Sequence, residues 1–355
     1  MPIVADAYTY VVGVDTHAAT HHYAVIETRT GGVVDHAEFP THAKGLLRAA
    51  AWVARRTGEP TGGDLDQVLV SIEGTRSYGA QLATLLAQSG YRVVDAPSPK
   101  RDNGSGKNDH IDAVAAARGS LHKDTDKLAD ARAGQTSAAL QVLLTARNSM
   151  TSERTRAVNA LNALLRVHDL GIDARRKVGQ PTIRAIAGWR TRKNDTLATA
   201  TARAEAIRRA TRILALDIEI DANERDLLAI VHTTAPTLLD LTGVGPVNAA
   251  IVLTAWSHPG RVRDDAAFAK LGGVCPLEVS SGNHNEHRLN RSGDRQLNRA
   301  LHSIAKTRMQ HDPRTRDYVE RRTTHGLSKP RIRRCLKRYI ARELYQHLKT
   351  GVDNL

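Results

Sequence analysis

Two β-rich runs in the first part of the chain each stop on an acid. Tyr10-Val11-Val12-Gly13-Val14 leads into Asp15, and Val68-Leu69-Val70-Ser71-Ile72 leads into Glu73. Short apolar runs of this kind predict buried strands, and the strand ends of an α/β sheet hold side chains rigidly beside a crevice. His22 to Ile26 predicts a second strand, and Gly31-Gly32 a turn into Val33-Val34. Residues Lys44 to Thr57 carry Leu46, Leu47, Ala50, Val53 and Ala54 at helical spacing, Gln81 to Ser89 predicts a short helix, and Tyr91 to Val94 another strand. The order strand, strand, strand, helix, strand, helix, strand matches the ribonuclease-H-like arrangement. Residues 1–125 therefore read as an α/β domain.

Two further acids, Asp109 and Asp112, open a predicted helix in Lys107-Asn108-Asp109-His110-Ile111-Asp112-Ala113. Their spacing of three puts both on one helical face, from which they can converge on Asp15 and Glu73. Converging carboxylates repel unless a cation neutralises them, so Mg²⁺ or Mn²⁺ is the natural occupant, and such a site suits phosphodiester chemistry. Singly, each acid has an ordinary structural reading: Asp109 as a helix cap, Asp15 as a turn residue. His17, His21 and His22 fall where a turn between strands is expected, and with no cysteine nearby they read as surface residues or as supports behind the acids.

Beyond the polar, Gly-containing stretch Pro97 to Asn108, the chain reads as helical to about His232. Two long amphipathic segments, separated by a polar connection from about Gly171 to Asp195, predict a helical hairpin or coiled-coil arm over residues 126–235. A third unit, 236–355, is expected to be mainly helical. It begins with Leu241-Thr242-Gly243-Val244-Gly245-Pro246, which has the shape of a helix-hairpin-helix turn; Gly243 and Gly245 would expose backbone N–H groups to a phosphate at the next helix's N-terminus.

Charge points the same way. The net charge is +14, and between Arg261 and Lys349 there are 21 Lys/Arg against 9 Asp/Glu, 16 of the cations being Arg. A basic run can be a mere solvated surface, but planar guanidinium forks suit phosphate, and a nucleic-acid partner is expected here. The predicted contacts are Gly243, Gly245, Arg288, Arg291, Arg295 and Arg299. Two distant cysteines, Cys275 and Cys335, give neither a disulfide framework nor a metal-ligand spacing; no apolar run is long enough for a membrane span, and no signal-peptide pattern opens the chain. A cytoplasmic, reduced protein is expected.

The motifs Gly13-Val14-Asp15-Thr16-His17, Ile72-Glu73-Gly74-Thr75-Arg76-Ser77-Tyr78-Gly79 and Lys107 to Ala113 resemble the Asp-Glu-Asp-Asp signature of the DEDD-type insertion-sequence transposases, relatives of the Piv-type DNA invertases that include bridge-RNA-guided recombinases. Leu241 to Ala250, Leu271-Gly272-Gly273-Val274-Cys275-Pro276, Ser280-Ser281-Gly282 and His287 to Asn298 resemble that family's second domain, with Gly273-Val274-Cys275-Pro276 a small departure.

The resemblance implies a RuvC-like first domain joined by a coiled coil to a helical transposase domain. It implies a serine nucleophile that forms a phosphoserine link to DNA, assisted by metal-bound acids. By its place before glycine that serine is Ser281, with Ser280 the fallback; without the resemblance, Ser-Ser-Gly reads as a loop. It implies recombination of double-stranded donor and target DNA guided by a bridge RNA, by a homodimer or tetramer, in a prokaryotic, nucleoid-associated setting. The rival reading of the same acids is a structure-selective nuclease, such as a junction resolvase, with water as nucleophile.

Overall fold

The computed structural model describes residues 2–58, 67–97, 109–281, 284–288, 290 and 292–351. Two compact units account for it: residues 1–133 with 260–263, and residues 134–259 with 264–355.

The first unit is built on a five-stranded mixed sheet. Its strands are β1 (Tyr10–Thr16), β2 (Thr20–Glu27), β3 (Val33–Pro40), β4 (Val68–Ile72) and β5 (Arg92–Asp95), in the order β3-β2-β1-β4-β5. The first three pair antiparallel, while β1–β4 and β4–β5 are parallel. This mixed α/β architecture is consistent with a RuvC-like DEDD domain. The strands expected from sequence are present. β3 runs much further than Val33-Val34, because its alternation Val-Asp-Ala-Phe against Val-His-Glu-Pro is that of a sheet edge exposed on one face.

One face of the sheet packs on helices α2 (Ala43–Thr57) and α3 (Ala80–Gln88), closing a core of Val12, Val14, Tyr23, Val25, Leu46, Trp52, Val70, Leu82 and Leu86. The opposite face takes α4 (Asp109–Leu121), with Val11, Ile26, Leu69 and Val94 packed against Ala117 and Leu121. A short helix α1 (Val4–Ala7) seals the end of this second core through Val4. The strap 260–263 belongs to this unit: Arg261 donates from Nε to the Asp130 carbonyl at 2.8 Å, and Arg263 pairs with Asp126.

His21, expected at the surface or behind the acids, is in the core. It is 1% exposed on β2, and its Nδ1 is buried with no hydrogen-bond partner among the described residues. Burial holds its imidazole below the usual range, so the fold carries it neutral. Below the unfolded value of about 6.5 the unfolded chain binds a proton that the native state resists, so stability falls as pH drops through that region. Thermal melts from pH 7.5 to 5.5 should show this fall, and His21→Gln should flatten it.

The second unit starts with the long helices α5 (Gln135–Val167) and α7 (Leu197–Thr234). They run antiparallel, as the pairs Arg147–Glu224 (2.6 Å), Arg154–Asp217 and Arg212–Glu153 (2.8 Å) require. Val158, Leu161 and Leu165 meet Ala202, Ala206, Ala210 and Ile213 between them. The connection is not the purely polar linker expected: it holds α6 (Gln180–Ala187), whose Ile183 and Ile186 are buried in the same core with Leu170 and Val178. That stretch spreads its apolar residues among Arg, Gly and Pro, which hides the stripe.

The remainder comprises α8 (Pro246–Trp256), α9 (Asp265–Leu271), the hairpin β6 (Leu277–Ser281) and β7 (His284–Arg288), α10 (Arg295–His311), α11 (Pro313–Thr324) and α12 (Lys329–Gly351). α10 begins on a capping Asp294, whose carboxylate accepts from Gln296 N at 2.8 Å and Leu297 N at 3.0 Å. Ser280-Ser281 thus lies in a strand rather than in a loop, with Ser281 opposite His284 in register.

Candidate metal centre and nucleic-acid-binding elements

Asp15 is brought to Asp109 by a match of step lengths. Alternate residues of a strand lie about 6.6 Å apart, and every fourth residue of a helix about 6 Å. Val11, Gly13 and Asp15 share the face of β1 that meets α4, where Ala117, Ala113 and Asp109 descend at intervals of four. Gly13 makes the close approach possible: a Cβ there would lie 2.0 Å from the Ala113 carbonyl oxygen and 2.6 Å from the Ala117 nitrogen. Two residues further along the strand and one turn back along the helix, the two aspartates meet.

β4 repeats the scheme one strand over. Ser71 Oγ donates to the Ala116 carbonyl at 2.9 Å and lies 3.1 Å from Ser120 Oγ, so the Ser120–Ala116–Asp112 row of α4 runs along β4 as the Ala117–Ala113–Asp109 row runs along β1. Glu73 continues the ladder past the end of β4, its N–H donating to the Val14 carbonyl at 2.9 Å and its own carbonyl accepting from Thr16 Oγ1 at 2.7 Å. The chain then turns at Gly74, whose φ of 71° is a left-handed conformation that favours glycine.

Among the described residues the ligand atoms that gather within 4.8 Å of one another are those of Asp15, His17 and Asp109. Glu73 and Asp112 stand outside that group: Glu73 is exposed, and Asp112 is half-buried one turn further along α4. His17 Nε2 lies 3.0 Å from Asp15 Oδ2 and 3.5 Å from Asp109 Oδ1. His22 Nε2 lies 3.7 Å from the other Asp109 oxygen and 4.0 Å from Glu38. His17 is therefore at the acids themselves, which the sequence reading undervalued. Its spacing from Asp15 is the signal: a residue just past the strand end can fold back over the side chain at that end.

The Asp15 side chain is only 9% exposed, and among the described residues no lysine or arginine pairs with it. A carboxylate so buried is costly without a cation. Oxygen donors joined by one imidazole nitrogen fit a divalent ion such as Mg²⁺ or Mn²⁺, with Mn²⁺ the better match to nitrogen. His17→Gln should weaken Mn²⁺ binding by about tenfold to a hundredfold in calorimetric titration, the usual cost of losing a ligand-orienting partner.

The other predicted contacts lie in the second unit. Gly243 has a φ of 83°, and a Cβ there would come within 3.2 Å of the Ile304 carbonyl, so its turn does need glycine. Gly245 does not: as N-cap of α8 it is extended, with φ −84°, and the space beside it is open. The turn is entered from a single 3-10 turn, Pro236–Leu238, rather than from a full helix, because Pro236 follows directly on the end of α7. Arg288 ends β7 and is exposed, as is Arg295 in the first turn of α10; Arg291 lies outside the described residues. Arg299 borders a cavity of about 220 Å³ between α5, α8 and α10, together with Arg147, Asn248, Gln296 and Ser303. Cys275 is half-buried, and its Sγ accepts a hydrogen bond from Asn290 Nδ2 at 3.2 Å.

Comparison with known proteins supplies the context. A transposase family model of the IS110 DEDD type matches residues 12–168, and the model described as Transposase IS116/IS110/IS902 family matches residues 235–320. Together they take in more than half of the chain, in the order the motifs require. The chain belongs to the IS110 transposase family.

Its similarity to the insertion element IS900 uncharacterized 42 kDa protein of Mycobacterium paratuberculosis is 26% identity over 88% of this chain and 89% of that protein. Similarity to the insertion element IS110 uncharacterized 43.6 kDa protein of Streptomyces coelicolor is higher, 32%, but covers 39% of this chain and 33% of that relative's length. These matches class the chain with transposases and do not show the kinship with Piv-type invertases and serine recombinases drawn from the motifs. Membership of the DEDD transposases implies use of a divalent metal, in keeping with the acidic group at Asp15. No helix among the described residues is long and apolar enough to cross a membrane.

Proposed function

We propose that this IS110-family chain is a DNA transposase that cuts and rejoins strands of double-stranded DNA, using Asp15, Glu73, Asp109 and Asp112 as the acids of a divalent-metal centre and Ser281 as nucleophile. The observation that carries the reading is the gathering of Asp15, His17 and Asp109 within 4.8 Å at the end of the central strand, in a chain that matches transposase models over residues 12–168 and 235–320. A bound divalent ion would supply charge neutralisation at the phosphate and help ionise an attacking hydroxyl. The chain's residues supply the rest: Asp15 is held by burial and Asp109 by the start of α4, so neither has to be ordered at the moment of reaction.

The covalent step balances simply. The serine oxygen forms a bond to phosphorus, the bond from phosphorus to one deoxyribose oxygen breaks, and that oxygen leaves as a hydroxyl with the proton the serine gave up. Attack by a second DNA hydroxyl reverses the step and frees the serine. The Arg-rich C-terminal third supports contact with phosphates of DNA and equally of a guide RNA, since charge alone does not choose between them. We place the bridge RNA, and assembly as a dimer or tetramer, with this reading.

The test is a trapping assay on DNA carrying the element's own ends, with and without its transcript. A protein–DNA adduct that requires Ser281 and Mg²⁺ supports the proposal, and an adduct lost only in Ser280→Ala moves the nucleophile by one residue. Cleavage that survives Ser280→Ala/Ser281→Ala would leave water as the attacking group and a nuclease as the better description.

A further inference from the structure

On the second unit, α10 and α12 carry cations and no acid along the stretches Asn298 to Lys306 and Arg333 to Lys337. Asn298, His302 and Lys306 are spaced by four along α10, and Arg333 and Lys337 are spaced by four along α12, so each set forms a row on one side of its helix. The rows meet at Lys337 Nζ, which donates to Asn298 Oδ1 at 2.7 Å. Asn298 is fixed in that orientation because its Nδ2 donates to the Gly272 carbonyl at 2.6 Å. Among the described residues Asn298 Oδ1 is the one hydrogen-bond partner of Lys337, which leaves donors of a half-buried ammonium without an acceptor. Arg333 Nε is likewise buried, with no hydrogen-bond partner among the described residues.

Other cations at this face have acids. Arg338 and Arg342 share Asp265 at 3.2 and 2.9 Å. Glu343 takes Arg308 at 2.5 Å. The charges acting on His302 are those of Arg333, Lys337 and Lys306, all cationic, and the one acting on Lys337 is Arg333. Burial and these neighbours hold both groups below their ordinary values. Unpaired buried donors and unopposed cations are costly in a folded protein, and both costs vanish when an oxyanion sits among them.

We propose that Lys337, Arg333 and His302 form a binding site for one phosphate group of a nucleic-acid backbone, separate from the glycine turn at Gly243. The site reads no sequence; it anchors the strand and sets its register. It rests on the reading of the chain as a nucleic-acid enzyme, and the experiment separates the two.

Full-length protein is titrated with a fluorescent 20-base-pair duplex and, in a second arm, with a single-stranded RNA of 20 nucleotides, at several salt concentrations. One lost phosphate contact lowers the slope of log K against log salt by about 0.9 on duplex DNA or about 0.7 on a single strand. Lys337→Gln should show that loss and bind about fivefold more weakly near 0.15 M salt, equally on unrelated sequences. Lys337→Arg should restore the slope. Arg334→Gln, the same charge change on an exposed neighbour, should leave the slope near that of the parent. Loss in the DNA arm, the RNA arm or both names the strand that is held.

A slope unchanged in Lys337→Gln, or an equal loss in Arg334→Gln, overturns the site and leaves the functional reading intact. A third arm compares melting in inorganic phosphate and in chloride at matched ionic strength. If the parent binds neither nucleic acid, the functional reading falls. Phosphate stabilisation that Lys337→Gln abolishes would then still uphold the anion site, and stabilisation equal in both proteins would overturn it.

Discussion

Asp15→Asn is expected to lower metal-dependent strand cleavage by about 10³-fold or more while leaving the protein folded. A metal centre contributes several kcal/mol of stabilisation to a phosphoryl transition state, and each 1.36 kcal/mol is tenfold in rate. Asp15 is the most enclosed of the four acids and the one that His17 touches most closely, so no neighbour can take over its place. The amide keeps the shape of the side chain but removes its charge. Calorimetry should show Mn²⁺ binding falling in parallel with cleavage. In metal-free buffer the variant should melt no lower than the parent, because the substitution removes a buried charge that no lysine or arginine pairs with among the described residues. A variant that cleaves at the parental rate would remove Asp15 from the site.

Gly13→Ala should be among the most disruptive single-methyl changes in the first unit. The added carbon would have to occupy space 2.0 Å from one backbone atom of α4 and 2.6 Å from another. Backbone atoms in the middle of a helix cannot step aside singly, so the helix as a whole must retreat. A cost of about 3 kcal/mol, at the upper end for overpacking, is expected in denaturant titration. Retreat of α4 also draws Asp109 away from Asp15, so metal affinity should fall even under conditions where the protein is fully folded. Gly45→Ala is the matched control. Its Cβ would lie 2.1 Å from the Pro40 carbonyl oxygen, a clash of the same kind at the start of α2. It should destabilise comparably and leave metal affinity alone.

How much of this could be read in advance follows from which interactions are local. The strands, α2, α3 and the two long helices are written in local periodicity, and most of their apolar residues form the cores expected of them, Leu47 of α2 being exposed instead. Asp15 and Asp109 were legible as partners because both stand at element ends, where the fold class predicts convergence. The role of Gly13 was not, since it depends on how closely a helix 100 residues away crosses the strand. His17 is hard to place in advance because it stands in a turn, where no periodicity says which way a side chain points. His21 looks like its neighbours in sequence, and only the pleat of β2 decides that it points inward. The cations of α10 and α12 were visible only as a surplus of charge; which of them lack acids depends on the packing that gives Asp265 and Glu343 to other arginines.

The pairing of strand and helix steps at β1 and α4 also bears on which length changes the family can accept. Removing one residue between Asp109 and Ala117 would turn the helix's first acid by about 100° relative to the glycine contact, and removing one between Gly13 and Asp15 would send the acid to the other side of the sheet. Neither error can be absorbed locally, because both ends of each interval are fixed against the same partner. Among natural variants, gains and losses of residues should therefore collect outside Gly13–Asp15 and Asp109–Ala117, and these two stretches should keep their lengths even where their side chains drift. They form a ruler that selection can repaint but not rescale.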